Sequence, residues 1–129
     1  MREIKFRGKR IDNGEWVVGY LSQATFLTAE ESHISMVISP PLKKVYQYES
    51  YEVDPATVGQ YTGLKDSKGQ EIYEGDLLKG DIDEWEWEVA YQDGAFTVMY
   101  EREHDYWLCD FVDGAVVVGN IHDAKEAGA

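Results

Sequence analysis

The chain has 129 residues with a single Cys, and its 25 acidic against 12 basic side chains give a net charge of −13 at neutral pH. Its length fits one domain, and 43% apolar with 13% aromatic residues suffice for a core, which excludes a disordered chain. So acidic a chain repels nucleic acid at long range, and a solvated acidic surface is the simplest interpretation.

The sequence carries no sign of export. Cys109 has no second cysteine for an internal disulfide, and no apolar run reaches the length of a signal peptide or a membrane span. We therefore expect a cytoplasmic protein without membrane association. No repeat or low-complexity linker divides the chain, so residues 1–129 are expected to form one domain, with 124–129 as a frayed tail.

Short strands separated by turn dipeptides run along the chain, a pattern typical of an all-β domain. We expect a single compact antiparallel barrel or sandwich with at most short helical turns. Residues 75–100 resemble the strand–loop–hairpin layout of small SH3-like barrels, so that shape is one alternative for the C-terminal half. Open edges on so short a sheet indicate self-association, and thus a homo-oligomer.

The first hairpin is predicted at Asn13-Gly14, where a two-residue turn would pair Lys9 with Val18. That register places cations and aromatic rings on one face. Such a face could bind single-stranded nucleic acid, because bases stack on rings while Lys or Arg meets phosphate. The alternative is cation–π packing within the hairpin. The residues of this candidate binding face are Arg7, Lys9, Trp16 and Tyr20.

The region after this hairpin is harder to interpret. Residues 24–33 predict either a short helix or a loop. Residues 34–39 and 45–53 are expected to be strands, divided by Pro40-Pro41. Asp54-Pro55 predicts an N-cap followed by Pro at the first helical position, with room for about one turn of helix.

Residues 58–78 read VGQYTGLKDSKGQEIYEGDLL and hold four glycines around a Lys-Asp-Ser-Lys-Gly turn. The glycines are expected where the chain needs positive φ or a close backbone approach, and Asp66 is expected to bond its own turn. Their spacing matches neither phosphate-binding glycine loop. We interpret this motif as structural, and its residues are Gly59, Tyr61, Thr62, Gly63, Asp66, Gly69, Ile72, Tyr73, Gly75 and Asp76.

Together with the opening REIKFRGKRIDNGEWVVGYL and the late VVVGNIHD, this motif resembles the YopX-like proteins carried by phages and prophages. The resemblance covers about the first 80 residues and residues 119–121. It implies an uncharacterised accessory protein of a phage or prophage, acting in the cytoplasm of a bacterial host. It assigns no activity to any residue.

Two further hairpins are predicted in the C-terminal half. A type I′ turn at Asp93-Gly94 would pair Val89 with Val98, and in that register six large side chains share one face, so pairing and apolar pattern agree. A similar turn at Asp113-Gly114 would join two strands that are apolar on both faces and therefore largely buried. Those two strands are 106–112 and 115–121.

No pattern of metal-ligating or nucleophilic residues stands out. Cys109 and His104 would point to opposite faces of one strand, so a pair with Cys109 would need His33 or His122 instead. We expect no cofactor, no metal and no enzymatic activity. A run of acids, interpreted as a solvent-facing strand and its leading loop, consists of Asp81, Asp83, Glu84, Glu86 and Glu88.

Nine Tyr and four Trp are many for this length, and such residues are enriched at interfaces. The sequence therefore favours a non-catalytic protein-binding module, whose partner is a second copy, a host protein or a phage protein. One alternative is an acidic DNA mimic that inhibits a host nucleic-acid enzyme. The other is weak single-stranded nucleic-acid binding through the basic and aromatic N-terminal hairpin, against the repulsion of the remaining chain.

Overall fold

The computed structural model describes residues 4–27, 32–41, 49–80, 85–100 and 103–123. The predicted tail at 124–129 and three of the acids discussed above, at 81, 83 and 84, lie outside these ranges. The chain divides into two compact units, which we call the N-terminal unit, Ile4–Gln60, and the C-terminal unit, which begins at Tyr61.

Strands dominate the described residues, and the all-β prediction is confirmed. Beside them lie short helical pieces, among them a 3-10 turn at Pro55–Thr57 and helix α1 at Leu108–Phe111. In chain order the strands are β1 Phe6–Lys9, β2 Trp16–Leu27, β3 Ser32–Ser39, β4 Tyr51–Glu52, β5 Gly59–Lys65, β6 Glu71–Tyr73, β7 Asp76–Lys79, β8 Glu86–Gln92, β9 Ala95–Tyr100, β10 Glu103–Trp107 and β11 Val116–Asn120.

The strands form two antiparallel sheets, ordered β4-β3-β2-β1-β5-β6 and β10-β9-β8-β7-β11. Strand β5 crosses the boundary between the units, since its first two residues pair with β1 and its later residues pair with β6. Neither sheet closes into a barrel within the described residues. No helix in that part of the chain is long and apolar enough to cross a membrane.

In the N-terminal unit the core is formed by Val17, Ile38 and Val53. Strands β2 and β3 pair along their full overlap, from Tyr20 opposite Ser39 to Leu27 opposite Ser32. The predicted helix or loop at 24–33 is therefore wrong for 24–27 and 32–33, which are strand. A short isolated helix is marginal, whereas β-branched and aromatic residues in this stretch gain a ladder partner each.

The hairpin of β1 and β2 exists, but its predicted register is wrong by two residues. Lys9 lies opposite Trp16, and Arg7 lies opposite Val18. The cause is a longer connection, closed by a backbone hydrogen bond from the Arg10 N–H to the Glu15 carbonyl at 2.9 Å. Because side chains alternate with period two, a two-residue shift leaves every side chain on its predicted face.

The 3-10 turn follows the predicted N-cap. The Ala56 N–H donates to Asp54 Oδ1 at 3.0 Å, with Pro55 at the first helical position. A side chain that accepts from the second residue of the turn satisfies one of the free N–H groups there. This prediction is confirmed. Of the strand predicted at 45–53, the structure describes residues 49–53, and β4 lies within them.

The hairpin of β8 and β9 has the predicted register, with Val89 opposite Val98. Asp93 and Gly94 have φ angles of 52° and 85°, as a type I′ turn requires. The core of the C-terminal unit contains this hairpin's inner face together with Ile72 of β6. The β5–β6 hairpin thus packs against the five-stranded sheet, which gives this unit two layers, as in a sandwich.

The hairpin predicted at Asp113-Gly114 is wrong. Residues 108–111 form helix α1, and β11 pairs with β7 instead of with residues 106–112. Leu108 and Phe111 are three positions apart, a helical spacing, and both pack into the core of the C-terminal unit. The alternative strand would have buried Cys109, which is exposed instead.

Candidate functional site

Asp66 ties the motif turn to a distant strand. The N–H groups of Lys68 and Gln70 both donate to its Oδ1 at 2.9 Å, as predicted for a self-bonded turn. The Val117 N–H, 51 positions away, donates to its Oδ2 at 2.9 Å. Burial alone would raise the pKa of Asp66, but the donors Val117, Gln70 and Lys68 outweigh it and hold the pKa below its ordinary value.

A second motif carboxylate closes the turn between β6 and β7. Asp76 is buried and accepts the Tyr73 N–H at 2.8 Å. Between them Gly75 has a φ of 89°; its N–H donates to the Val89 carbonyl, and its own carbonyl accepts the Ile121 N–H, both at 2.8 Å. One tight turn is therefore hydrogen-bonded to two other segments of the C-terminal unit.

Three further motif residues, Tyr61, Thr62 and Tyr73, also make contacts within the C-terminal unit. The Thr62 hydroxyl donates to the Ile72 carbonyl at 2.8 Å and accepts the Leu64 N–H at 3.2 Å. The rings of Tyr61 and Tyr73 pack at a centroid distance of 5.4 Å. Such local contacts support the fold and offer no catalytic arrangement. Of the four motif glycines, Gly63, Gly69 and Gly75 have positive φ and Gly59 does not.

On the N-terminal hairpin, the structure brings three of the four candidate residues together. The guanidinium of Arg7 lies 4.8 Å and the ammonium of Lys9 lies 5.4 Å from the centroid of the Trp16 ring. Lys9 is only 6% exposed, too little to meet a phosphate. Tyr20 is four positions further along β2, about 13 Å from Trp16. The contacts match the alternative of cation–π packing within the hairpin.

A second cation–π pair lies beside a shallow cleft in the N-terminal unit. Arg10 sits 4.1 Å from the Tyr51 ring centroid and donates two hydrogen bonds to Asp12, at 2.9 and 2.6 Å. This pairing raises the pKa of Arg10 and lowers that of Asp12. The cleft holds about 260 Å³, which is below the usual volume of small-molecule sites. Arg10 already lies over the Tyr51 ring.

Five aromatic side chains of the C-terminal unit form one continuous group. Trp87, 4% exposed, lies at its centre, with ring centroids 5.4 to 5.6 Å from those of three neighbours. Trp85 stacks on Tyr100 at 4.7 Å with an interplanar angle of 10°. Trp85 and Tyr106 are each 52% exposed. We call this group the aromatic cluster; its members are Trp85, Trp87, Tyr100, Tyr106 and Phe111.

Four elements position the aromatic cluster. The β8–β9 register sets Trp87 near Tyr100, and a bulge in β10 aligns Tyr106 with Val98 on the neighbouring strand. Helix α1 adds Phe111, whose ring centroid is 6.0 Å from that of Tyr106. The sequence predicted one face for the first two rings. It missed Tyr106 and Phe111 because residues 106–112 were expected to pair as a strand with 115–121. It also missed Trp85, although the Trp-x-Trp alternation pointed to this face.

The charge is unevenly divided between the two halves of the chain. Residues 61–129 hold 17 acidic against five basic side chains, a net charge of −12. Residues 1–60 hold eight acidic against seven basic, a net charge of −1. The aromatic cluster therefore belongs to the strongly acidic half.

Among the described residues there is no group of three or more His, Cys, Asp or Glu side chains that could hold a metal ion. Of the predicted acidic run, Glu86 is exposed and Glu88 is half-buried. Cys109 lies exposed on helix α1.

The comparisons with known proteins address the family and the fold. The model of a family described as YopX protein matches residues 5–126. A search of curated proteins finds no match. The crystal structure of protein EF1440 from Enterococcus faecalis is similar, with a TM-score of 0.56 and 25% sequence identity over 98% of this chain and 99% of that one. This similarity informs the fold.

Proposed function

The chain belongs to the YopX protein family, and from that premise we propose that it is a non-catalytic protein-binding module whose contact surface is the aromatic cluster. The observation that carries this proposal is the half exposure of Trp85 and Tyr106 on a buried Trp87. Rings held on a packed anchor lose little side-chain entropy on binding, and Trp and Tyr are the residues most enriched at interface hot spots.

The proposal includes a biological setting. The protein acts in the cytoplasm of a bacterial host as an accessory protein of a phage or prophage, and its partner is a host protein, a phage protein or a second copy. Support comes from the resemblance to YopX-like proteins and from the single cysteine. Strands β4 and β10 end their sheets, and terminal strands provide edges along which copies can pair into a homo-oligomer.

Affinity capture from a bacterial lysate tests the proposal. The bait pair is the wild-type protein and the double variant Trp85→Ala/Tyr106→Ala. The matched control is Tyr20→Ala/Tyr91→Ala, which removes two similarly exposed rings outside the aromatic cluster. A stoichiometric partner should remain on the wild type and the control and be lost from the cluster variant.

Two results would count against this function. One is a partner that the cluster variant retains, which would place the contact elsewhere. The other is the absence of any specific partner across a range of salt concentrations. Thermal unfolding of each bait beforehand shows whether the variants are folded.

A second candidate function, an acidic DNA mimic, is favoured by the concentration of charge in residues 61–129, at −12. Closely spaced carboxylates can occupy a basic nucleic-acid groove and block its substrate. We expect a susceptible host nuclease to be inhibited at low salt and released at high salt. Unchanged DNA cleavage by a panel of host nucleases in excess protein removes this candidate.

A further inference from the structure

Resting on the proposed function, we infer that the partner of the aromatic cluster presents a basic linear segment, whose Arg or Lys side chains lie over the exposed rings of Trp85 and Tyr106. The inference specifies the chemistry of the partner, which the proposed function leaves open.

The charge of the C-terminal half favours a basic partner. The half of the chain that carries the aromatic cluster has a net charge of −12, so its field attracts cations and raises their association rate. One carboxylate also adjoins the cluster in the sequence, since Asp110 is exposed on helix α1 directly before Phe111. A basic segment gains the attraction of this acidic half, whereas a neutral apolar segment does not.

The chemistry of the rings also favours a cation. A cation over the face of Trp or Tyr is attracted by the ring quadrupole, and Trp is the strongest acceptor. Within the N-terminal unit the same chain places Arg7 4.8 Å from the Trp16 centroid and Arg10 4.1 Å from the Tyr51 centroid. Trp85 stacks on Tyr100 and is 52% exposed. An incoming guanidinium would meet a ring of fixed orientation.

Other occupants of the aromatic cluster fit less well. A second copy docked by the same surface would bring two halves of charge −12 together, so like charges would face each other. A nucleic-acid strand offers bases for stacking, but its phosphates meet the same repulsion. The basic segment is therefore the occupant that the described surface favours.

The experiment is a selection of random dodecapeptides on the wild-type protein, with counter-selection on the variant Trp85→Leu/Tyr106→Leu. Leucine keeps an apolar side chain and removes the ring, so a loss on this variant reports the π face and not mere hydrophobicity. We expect the enriched peptides to carry net positive charge. A selected peptide resynthesised with citrulline in place of arginine, which is neutral and of similar shape, should bind at least about tenfold more weakly by fluorescence anisotropy.

Every outcome decides the inference. Enrichment of neutral or acidic peptides, equal binding of the arginine and citrulline versions, or equal binding to the leucine variant each overturns it, as does failure to enrich any peptide. Tyr91→Leu is the control and should leave binding unchanged. If lysate capture still depends on Trp85 and Tyr106 while the peptides fail, the proposed function stands and only the basic character of the partner is wrong.

Discussion

At the scale of single residues, Asp66 joins segments that the sequence keeps far apart. Its two oxygens accept three backbone N–H groups, one of them from Val117 in β11. Replacing it with Asn leaves one acceptor oxygen and no charge. We expect Asp66→Asn to lower the free energy of unfolding by about 1–3 kcal/mol in urea titrations at pH 7. The control Asp113→Asn changes an exposed turn residue and should have little effect.

The pH dependence of this difference follows from the lowered pKa of Asp66. A carboxyl whose folded pKa lies below its unfolded value, about 3.9, contributes stability that is present above that value and is lost as pH falls through the folded pKa. The gap between wild type and Asp66→Asn should therefore be full at neutral pH and shrink below about pH 4. A gap that keeps its full size well below about pH 4 would mean that the charge of Asp66 contributes nothing.

Cys109 distinguishes helix α1 from the strand that the sequence predicts. In the structure the thiol is exposed, whereas a strand apolar on both faces would bury it. We expect the native protein to react with a thiol-specific chromogenic reagent at a rate close to that of the protein in denaturant. Because the chain has one cysteine, the whole reaction signal comes from Cys109. A reaction that waits for unfolding would favour the strand.

At the scale of elements, the β8–β9 hairpin provides the sharpest stability test. Val98 is fully buried opposite Val89, while Val118 of β11 is 47% exposed. Because both residues are valine, truncating each to alanine removes the same atoms and isolates the effect of burial on stability. Val98→Ala should cost about 1–3 kcal/mol in the free energy of unfolding and Val118→Ala about 0.5 kcal/mol. Equal costs at the two positions would contradict the register.

The turn of the same hairpin tests backbone conformation separately from packing. Gly94 has a φ of 85°, and a Cβ built there meets no heavy atom within 4 Å. Any cost of substitution therefore comes from the backbone angle and not from a clash. Gly94→Val should destabilise by about 1–3 kcal/mol, and Gly94→Asn by less, since Asn tolerates positive φ. Similar unfolding midpoints for the two variants would argue against a type I′ turn.

These elements also show what could be predicted from the sequence. The hairpin at Asp93-Gly94 was predictable because its turn type and its apolar alternation require the same register. At Asn13-Gly14 the turn was found but its length was not, since Asn-Gly does not by itself exclude a longer loop. The strand predicted at residues 106–112 was wrong because a short apolar run fits a strand and a buried helical turn equally well.

At the scale of the whole molecule, the candidate site was less predictable than the fold. The cation–π face of Arg7, Lys9 and Trp16 follows from strand periodicity alone. The aromatic cluster depends on β10 pairing with β9 and on α1 adding Phe111. No local sequence pattern indicates either contact. The charge division was readable from the sequence, but its meaning required knowing that Trp85 and Tyr106 lie in the acidic half.

Charge also gives the last prediction, which separates the two kinds of association proposed for this protein. Pairing of copies along sheet edges must overcome a net charge of −13 on each chain, and added salt screens that repulsion over a Debye length of about 10 Å at 0.1 M. Binding of a basic segment depends on attraction, so salt weakens it. In sedimentation experiments we expect the average mass to rise as salt increases, while anisotropy shows the basic peptide dissociating. If both kinds of association respond to salt in the same direction, charge does not distinguish them, and one of the two assignments is wrong.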